Sequence, residues 1–167
     1  MPTQLELAIQ IAVKAHWGQL DSDHEPYLTH PLRVMAKVQG EIAQCVAVLH
    51  DVIEDTTVTA NDLRNAGLAD EIVAGVECVT HPKSEPYADY VIRCKAHPIG
   101  RLVKLADLED NSRIDRALVR PDKIERDFAR LHRYHLSYKF LKDQLSEADY
   151  RRLMAQYGEL PPKPRVS

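Results

Sequence analysis

No run of apolar residues in this 167-residue chain approaches the roughly 20 needed to span a bilayer. The opening stretch, MPTQLELAIQ, lacks a basic segment followed by an apolar one. It therefore does not read as a secretory leader, and the cytoplasm is the expected compartment. Cysteine is scarce: Cys45, Cys78 and Cys94 form no CxxC pair. That spacing argues against a zinc or disulfide framework, and each reads as a reduced, buried small hydrophobe. Charge of neither sign dominates, with 22 Lys and Arg against 25 Asp and Glu for a net −3, so no general attraction to nucleic acid is expected. Alternation of period two, internal repeats and breaks in composition are all missing. What is present is an apolar fraction of 44% and a charged fraction of 28%, the balance of a globular protein. The length suits one domain.

Helical periodicity fills the chain. Thr3 followed by Glu6 fits a capping box. Leu5, Ala8, Ile9, Ala12, Val13 and His16 then recur at helical spacing, with His16 read as a hydrogen-bonded packing histidine. A polar loop, GQLDSDHEPY, leads to Pro31, which suits the first turn of a short helix and leaves His30 at the junction just before it. A third helix runs from near Glu41, with Ile42, Val46, Leu49, His50 and Ile53 on one stripe. Thr59–Ala66 predicts a short helix stopped by Gly67. Further helices are expected over 69–80, over YADYVIRCKAH and over Ile99–Asp110. Pro121 is expected to open a long amphipathic helix with Ile124, Phe128, Leu131, His135, Tyr138 and Leu141 in the inward register. Ser146 and Asp149 cap a last helix that ends at Gly158. The expectation is an all-α, single-domain helical bundle over 1–158, followed by a Pro-rich tail over 159–167.

The chemistry concentrates in AVLHDVIEDTTVT, residues 47–59. His50, Asp51, Glu54 and Asp55 fall within six positions at the end of an apolar helix. Residues three and four apart lie one turn on, about 5–6 Å between Cβ atoms, so three carboxylates are crowded together. An acidic C-terminus also opposes the helix dipole. A divalent cation would remove that cost; a solvated, fraying helix end is the alternative. Two distant stretches bear on the choice. His30 stands in EPYLTHPLRV. Asp107 in VKLADLEDN interrupts an apolar stripe, with Lys104 and Asn111 one turn to either side. Two imidazoles and two carboxylates suit a nitrogen-tolerant cation such as manganese or iron.

THP, LHDVIEDT and VKLADLEDN, in this order and at these intervals, resemble the motifs of the HD-superfamily metal-dependent phosphohydrolases. The specific likeness is to the hydrolase domain of RelA/SpoT-type proteins and to small alarmone hydrolases, over about Leu5 to Leu145. The resemblance implies an all-helical HD fold holding one divalent metal, usually Mn2+. It implies His30, His50, Asp51 and Asp107 as ligands, and Glu54 and Asp55 as the pair that orients and activates the attacking water. Asn111 matches a nucleotide-contacting position, and Lys104 and Arg113 are candidates to offset phosphate charge. The implied activity is removal of the 3′-pyrophosphate from guanosine 3′,5′-bis(diphosphate), ppGpp. The expected partner is thus a small phosphorylated nucleotide, with neither membrane nor nucleic acid involved.

One departure stands out. The loop before His30 is typically basic in that family, like RKSGEPY, and here reads DSDHEPY. Asp21 and Ser22 stand where an arginine and a lysine usually contact the nucleotide, and Asp23 adds a negative charge. Weaker ppGpp hydrolysis, and a less charged nucleotide as substrate, are the expectation. A non-catalytic nucleotide- or metal-binding HD domain is the competing reading; the full set of candidate ligands and carboxylates disfavours it.

Overall fold

The computed structural model describes residues 2–22, 24–115 and 120–158. Its described residues are organised as α-helices: α1 (Gln4–Ala15), α2 (Thr29–Ala36), α3 (Glu41–Leu49), α4 (Val52–Asp55), α5 (Ala60–Asn65), α6 (Asp70–Val79), α7 (Tyr87–Ala96), α8 (Pro98–Asn111), α9 (Ile124–Leu141) and α10 (Glu147–Tyr157). The tail from 159 and Asp23 lie outside the described residues. The chain divides into two compact units, 1–107 and 108–167.

The first unit is built around α3. Ala43 and every residue from Cys45 to Leu49 are buried, so the C-terminal half of this helix is apolar on every side and lies inside the unit. Helices α1, α2 and α6 pack against it. Burial of each Val or Leu here contributes about 1.5–3 kcal/mol before entropy is counted. Gly75 on α6 permits close approach to α3: a Cβ there would lie 2.6 Å from Cγ2 of Val46. Thr3 and Glu6 form the anticipated capping box, and Thr59 with Asp62 forms a second at α5. Gly67, at φ +98°, ends the α5 segment as its sequence position suggests.

Two local expectations need correction in this unit. Helix α2 begins at Thr29, so His30 sits inside its first turn rather than ahead of it. The third helix does not run unbroken to Asp55. It stops at Leu49, and a single turn, α4, resumes at Val52. The cause is visible in His50. Its Nδ1 lies 2.7 Å from the Ala47 carbonyl, the group that a continuing helix would offer to the Asp51 amide.

In the second unit α9 packs on α10. Phe140 and Tyr150 stack with ring centroids 4.4 Å apart. The Tyr150 hydroxyl lies 2.9 Å from the Ser137 hydroxyl, so both polar groups are satisfied inside the core. Of the inward register expected for α9, Leu141 is buried, but Phe128 is 56% exposed, Ile124 41%, and His135 is exposed as well. Beside Leu141 the buried face carries Asp127, Leu136, Ser137 and Phe140. Two of those positions are polar but fully partnered, so counting apolar residues selects the wrong face. Leu131, His135 and Tyr138 instead line a cavity of about 430 Å³ within this unit. The helix also begins at Ile124, three residues after Pro121.

Candidate functional site

Three segments of the first unit meet at one buried point. Helix α2 brings His30, the α3–α4 break brings His50 and Asp51, and α8 brings Asp107. The imidazoles are 2% and 3% exposed, and their ring centroids are 5.1 Å apart. Asp107 Oδ1 lies 3.3 Å from His30 Nε2 and 3.7 Å from His50 Nε2. Asp51 Oδ2 lies 3.0 Å from His50 Nε2 and 3.7 Å from His30 Nε2. Ligand atoms of His30, His50 and Asp107 all fall within 4.8 Å of one another, as the donors of a metal triad would. Asp51 reaches both imidazoles but stands outside that set.

The protonation geometry favours this reading. With Nδ1 of His50 bonded to the Ala47 carbonyl, the lone pair of a neutral ring resides on Nε2, facing the carboxylates. That buried Nε2 has no well-angled hydrogen bond, although an Asp51 oxygen is 3.0 Å away. A buried imidazole nitrogen without a proper partner, among convergent carboxylate oxygens, is the donor set of a divalent cation site. The charged groups also hold one another. Burial opposes a charged His50, yet the Asp51 and Asp107 carboxylates push its pKa well above the usual value. Burial likewise opposes ionised Asp107, but Lys104 and the imidazoles hold it well below the carboxylate range.

Lys104 is buried, with Nζ 2.7 Å from Asp107 Oδ2 and 5.0 Å from the centre of the Tyr90 ring. Its charge is thus engaged by the Asp107 oxygen that does not face the imidazoles. Glu54 and Asp55 form an exposed rim on α4. Glu54 Oε2 accepts the His81 amide at 2.9 Å. Partial desolvation, only partly offset by that bond, raises the Glu54 pKa. Desolvation and the Asp51 charge raise Asp55. The Tyr27 hydroxyl donates to Asp51 Oδ2 and, at 3.1 Å, lies in reach of Asp55 Oδ2. His16 is buried, with Nδ1 2.8 Å from the Gln19 side-chain oxygen and its ring against Tyr27.

The remaining candidates belong to the second unit. Asn111 closes α8 and is half-buried. Arg113 is exposed, and its guanidinium grips Asp115 at 2.5 and 2.9 Å. In the acidic loop, the Asp21 carboxylate accepts the Glu25 amide at 3.0 Å and so closes the turn. Tyr27, beside Asp51 and Asp55, is a residue of the site that the sequence reading did not single out. The EPY immediately before the His30 helix is the signal that it stands beside the site.

No protein-family model matches the chain. Curated relatives do. It is 37% identical over 132 residues to a guanosine-3′,5′-bis(diphosphate) 3′-pyrophosphohydrolase of Haemophilus influenzae, covering 70% of this chain and 19% of that protein. It is 34% identical over 137 residues to the bifunctional (p)ppGpp synthase/hydrolase SpoT of Escherichia coli K12, covering 74% and 19%. A GTP pyrophosphokinase of Streptomyces coelicolor shares 33% over 130 residues, covering 70% and 15%. The chain thus spans less than a fifth of the length of these relatives. Among solved structures, a metazoan ortholog of SpoT that hydrolyzes ppGpp superposes with a TM-score of 0.66 at 21% identity, covering 95% of this chain and 98% of that one. The fold of that protein is the fold found here. The sequence likeness to these relatives, together with the shared helical fold, supports an HD-type RelA/SpoT hydrolase domain in this chain.

Proposed function

We propose that this protein is a metal-dependent nucleotide phosphohydrolase that removes the 3′-pyrophosphate from ppGpp. His30, His50, Asp51 and Asp107 would hold one divalent cation, Mn2+ in this reading. The single observation that carries the reading is the buried meeting of two imidazoles and the Asp107 carboxylate, with Asp51 beside them. The relatives and the motif spacing support the substrate. A cation bound there supplies Lewis acidity toward a phosphoryl oxygen and makes water a better nucleophile at neutral pH.

The chain's own groups do the rest. Glu54 lies on the rim, its Oε2 fixed by the His81 amide, which leaves Oε1 to accept a proton from the attacking water. A raised Glu54 pKa makes the carboxylate a better base once ionised. Asp55 orients the water or returns a proton to the leaving oxygen. Lys104 balances the negative charge collected at the site, and Asn111 and Arg113 are the candidates for nucleotide contact. A small phosphorylated nucleotide as substrate keeps the cytoplasm as the expected compartment.

A second reading keeps the chemistry and changes the substrate. The acidic stretch at Asp21–Asp23 replaces attraction by repulsion where a nucleotide with two pyrophosphates would approach, and favours a less charged nucleotide. Pyrophosphate and phosphate release from a nucleotide panel, with Mn2+ and with chelator, tests both. The proposal expects Mn2+-dependent pyrophosphate release from ppGpp that chelator abolishes, and Glu54→Gln that loses about 100-fold or more in kcat while still binding Mn2+. Release that ignores chelator, or Glu54→Gln within a few-fold of the parent, contradicts it.

A further inference from the structure

Resting on that metal reading, we infer that Tyr27 is a positioning residue: its single phenolic proton ties the Asp51 oxygen that faces the imidazoles to the rim carboxylate Asp55. The two acceptors are Asp51 Oδ2 and Asp55 Oδ2. They stand four residues apart on one short turn, where like charges repel. A donor shared between them offsets that repulsion and fixes their separation. The Asp51 oxygen involved is the same one that approaches His50 Nε2 and His30 Nε2, so the bond aims a proposed ligand atom. A hydrogen bond to a ligating carboxylate is a common way of orienting it.

The chain takes care to deliver this hydroxyl. The loop before Tyr27 closes on itself through the Leu20–Pro26 bridge and the Asp21–Glu25 backbone bond of 2.9 Å. The Tyr27 amide donates to the Gln19 carbonyl, also at 2.9 Å. The ring is then flanked by two imidazoles, His16 at 5.0 Å and His30 at 6.0 Å between centroids. Gln19 in turn fixes His16 through Nδ1. Helix, loop and both neighbouring rings therefore converge on the orientation of one phenol.

The identity of the donor matters. Asp107 is held by the Lys104 ammonium through Oδ2, the oxygen turned away from the imidazoles. At Asp51 the donor bonds the oxygen that faces them. A cation in that place would compete with a metal for the same oxygen. A neutral phenol, protonated at neutral pH, holds the oxygen without adding positive charge.

Tyr27→Phe removes the hydroxyl and keeps the ring. Mn2+ affinity is measured by EPR without nucleotide, kcat and KM for ppGpp at saturating Mn2+, and thermal unfolding on the same samples. The expected result is a loss of about tenfold or more in Mn2+ affinity and a fall of about tenfold in kcat with KM held within about twofold, in a protein that melts within a few degrees of the parent. Asp55→Asn combined with Tyr27→Phe should cost less in kcat than the product of the two single effects, because both act through one contact. A parent that binds Mn2+ and a Tyr27→Phe variant that matches it in affinity and kcat overturn the inference alone. A parent that binds no Mn2+ overturns the metal reading and this inference with it. A Tyr27→Phe chain that no longer folds makes the hydroxyl a structural element and overturns the inference too.

Discussion

Two buried ion pairs, one in each compact unit, look alike in sequence and differ in what their carboxylates face. In the second unit Asp127 is 1% exposed and faces Arg120. Its Oδ1 accepts one guanidinium nitrogen at 2.6 Å, and its Oδ2 accepts another at 3.0 Å and the Arg120 amide at 3.2 Å. Both oxygens are consumed, in the fork geometry that arginine offers a carboxylate. In the first unit Asp107 is similarly buried, but Lys104 takes only Oδ2. Oδ1 is turned to two imidazoles. A saturated carboxylate anchors a loop to a helix. A carboxylate that turns one oxygen to a lysine and the other to two imidazoles is equipped for a ligand. Buried charge by itself does not separate the two cases; the accounting of each oxygen does.

The contrast can be broken most sharply by deletion. Asp107→Ala should abolish Mn2+ binding and reduce turnover about a thousandfold or more, whereas Asp127→Ala should leave kcat within about threefold in whatever fraction remains folded. Calorimetric Mn2+ titration alongside pyrophosphate release checks both. Equal activity losses in the two variants would erase the distinction.

Stability gives the second largest effect. Lys104→Met leaves the Asp107 carboxylate buried without its cation and should cost about 3 kcal/mol, read from urea unfolding with metal chelated. A change under about 1 kcal/mol would mean that the imidazoles alone suffice to hold Asp107.

Acid should then act on the second pair. Arg120 holds the Asp127 pKa down to about 2 from its ordinary 3.8. A carboxyl depressed in the folded state contributes its stability in full above the unfolded value and loses it as pH falls toward the folded one. The second unit should therefore lose about 1–2 kcal/mol between pH 4 and pH 2, after allowance for the partly exposed arginine. Arg120→Met should flatten that limb. An unchanged acid limb in Arg120→Met would show that other groups set it.

The smallest effect concerns the loop. Asp21 closes its own turn through the Glu25 amide, so the cleaner change is at exposed Ser22. Ser22→Lys should raise kcat/KM for ppGpp by about three- to tenfold at low salt, and less at high salt. No change at either ionic strength would show that this loop does not set the preference for charge.

Much of this architecture was legible because local chemistry and global packing agree. Thr3, Glu6, Gly67 and Ser146 mark helix ends by capping, and the stripe read on the third helix includes Val46 and Leu49, both buried. Misreadings arose where polar residues occupy buried faces. On α9, Asp127 and Ser137 point inward because Arg120 and Tyr150 satisfy them, and the apolar stripe of Phe128, Leu131 and Tyr138 does not mark the core. The interruption at His50 was invisible for a related reason: a side chain competes for a backbone carbonyl, and periodicity is blind to that. The grouping of His30, His50 and Asp107 followed from motif order. The split duties of the Asp107 oxygens and the two-way bond of Tyr27 exist only in three dimensions.

The central claim is that a divalent cation sits among His30, His50, Asp51 and Asp107. Crystals soaked in Mn2+ and measured at the manganese edge test it without reference to turnover. The account predicts one strong anomalous peak, about 2.0–2.3 Å from Nε2 of both histidines and from an oxygen of each aspartate. A peak elsewhere, or none among these four residues at millimolar Mn2+, would contradict it.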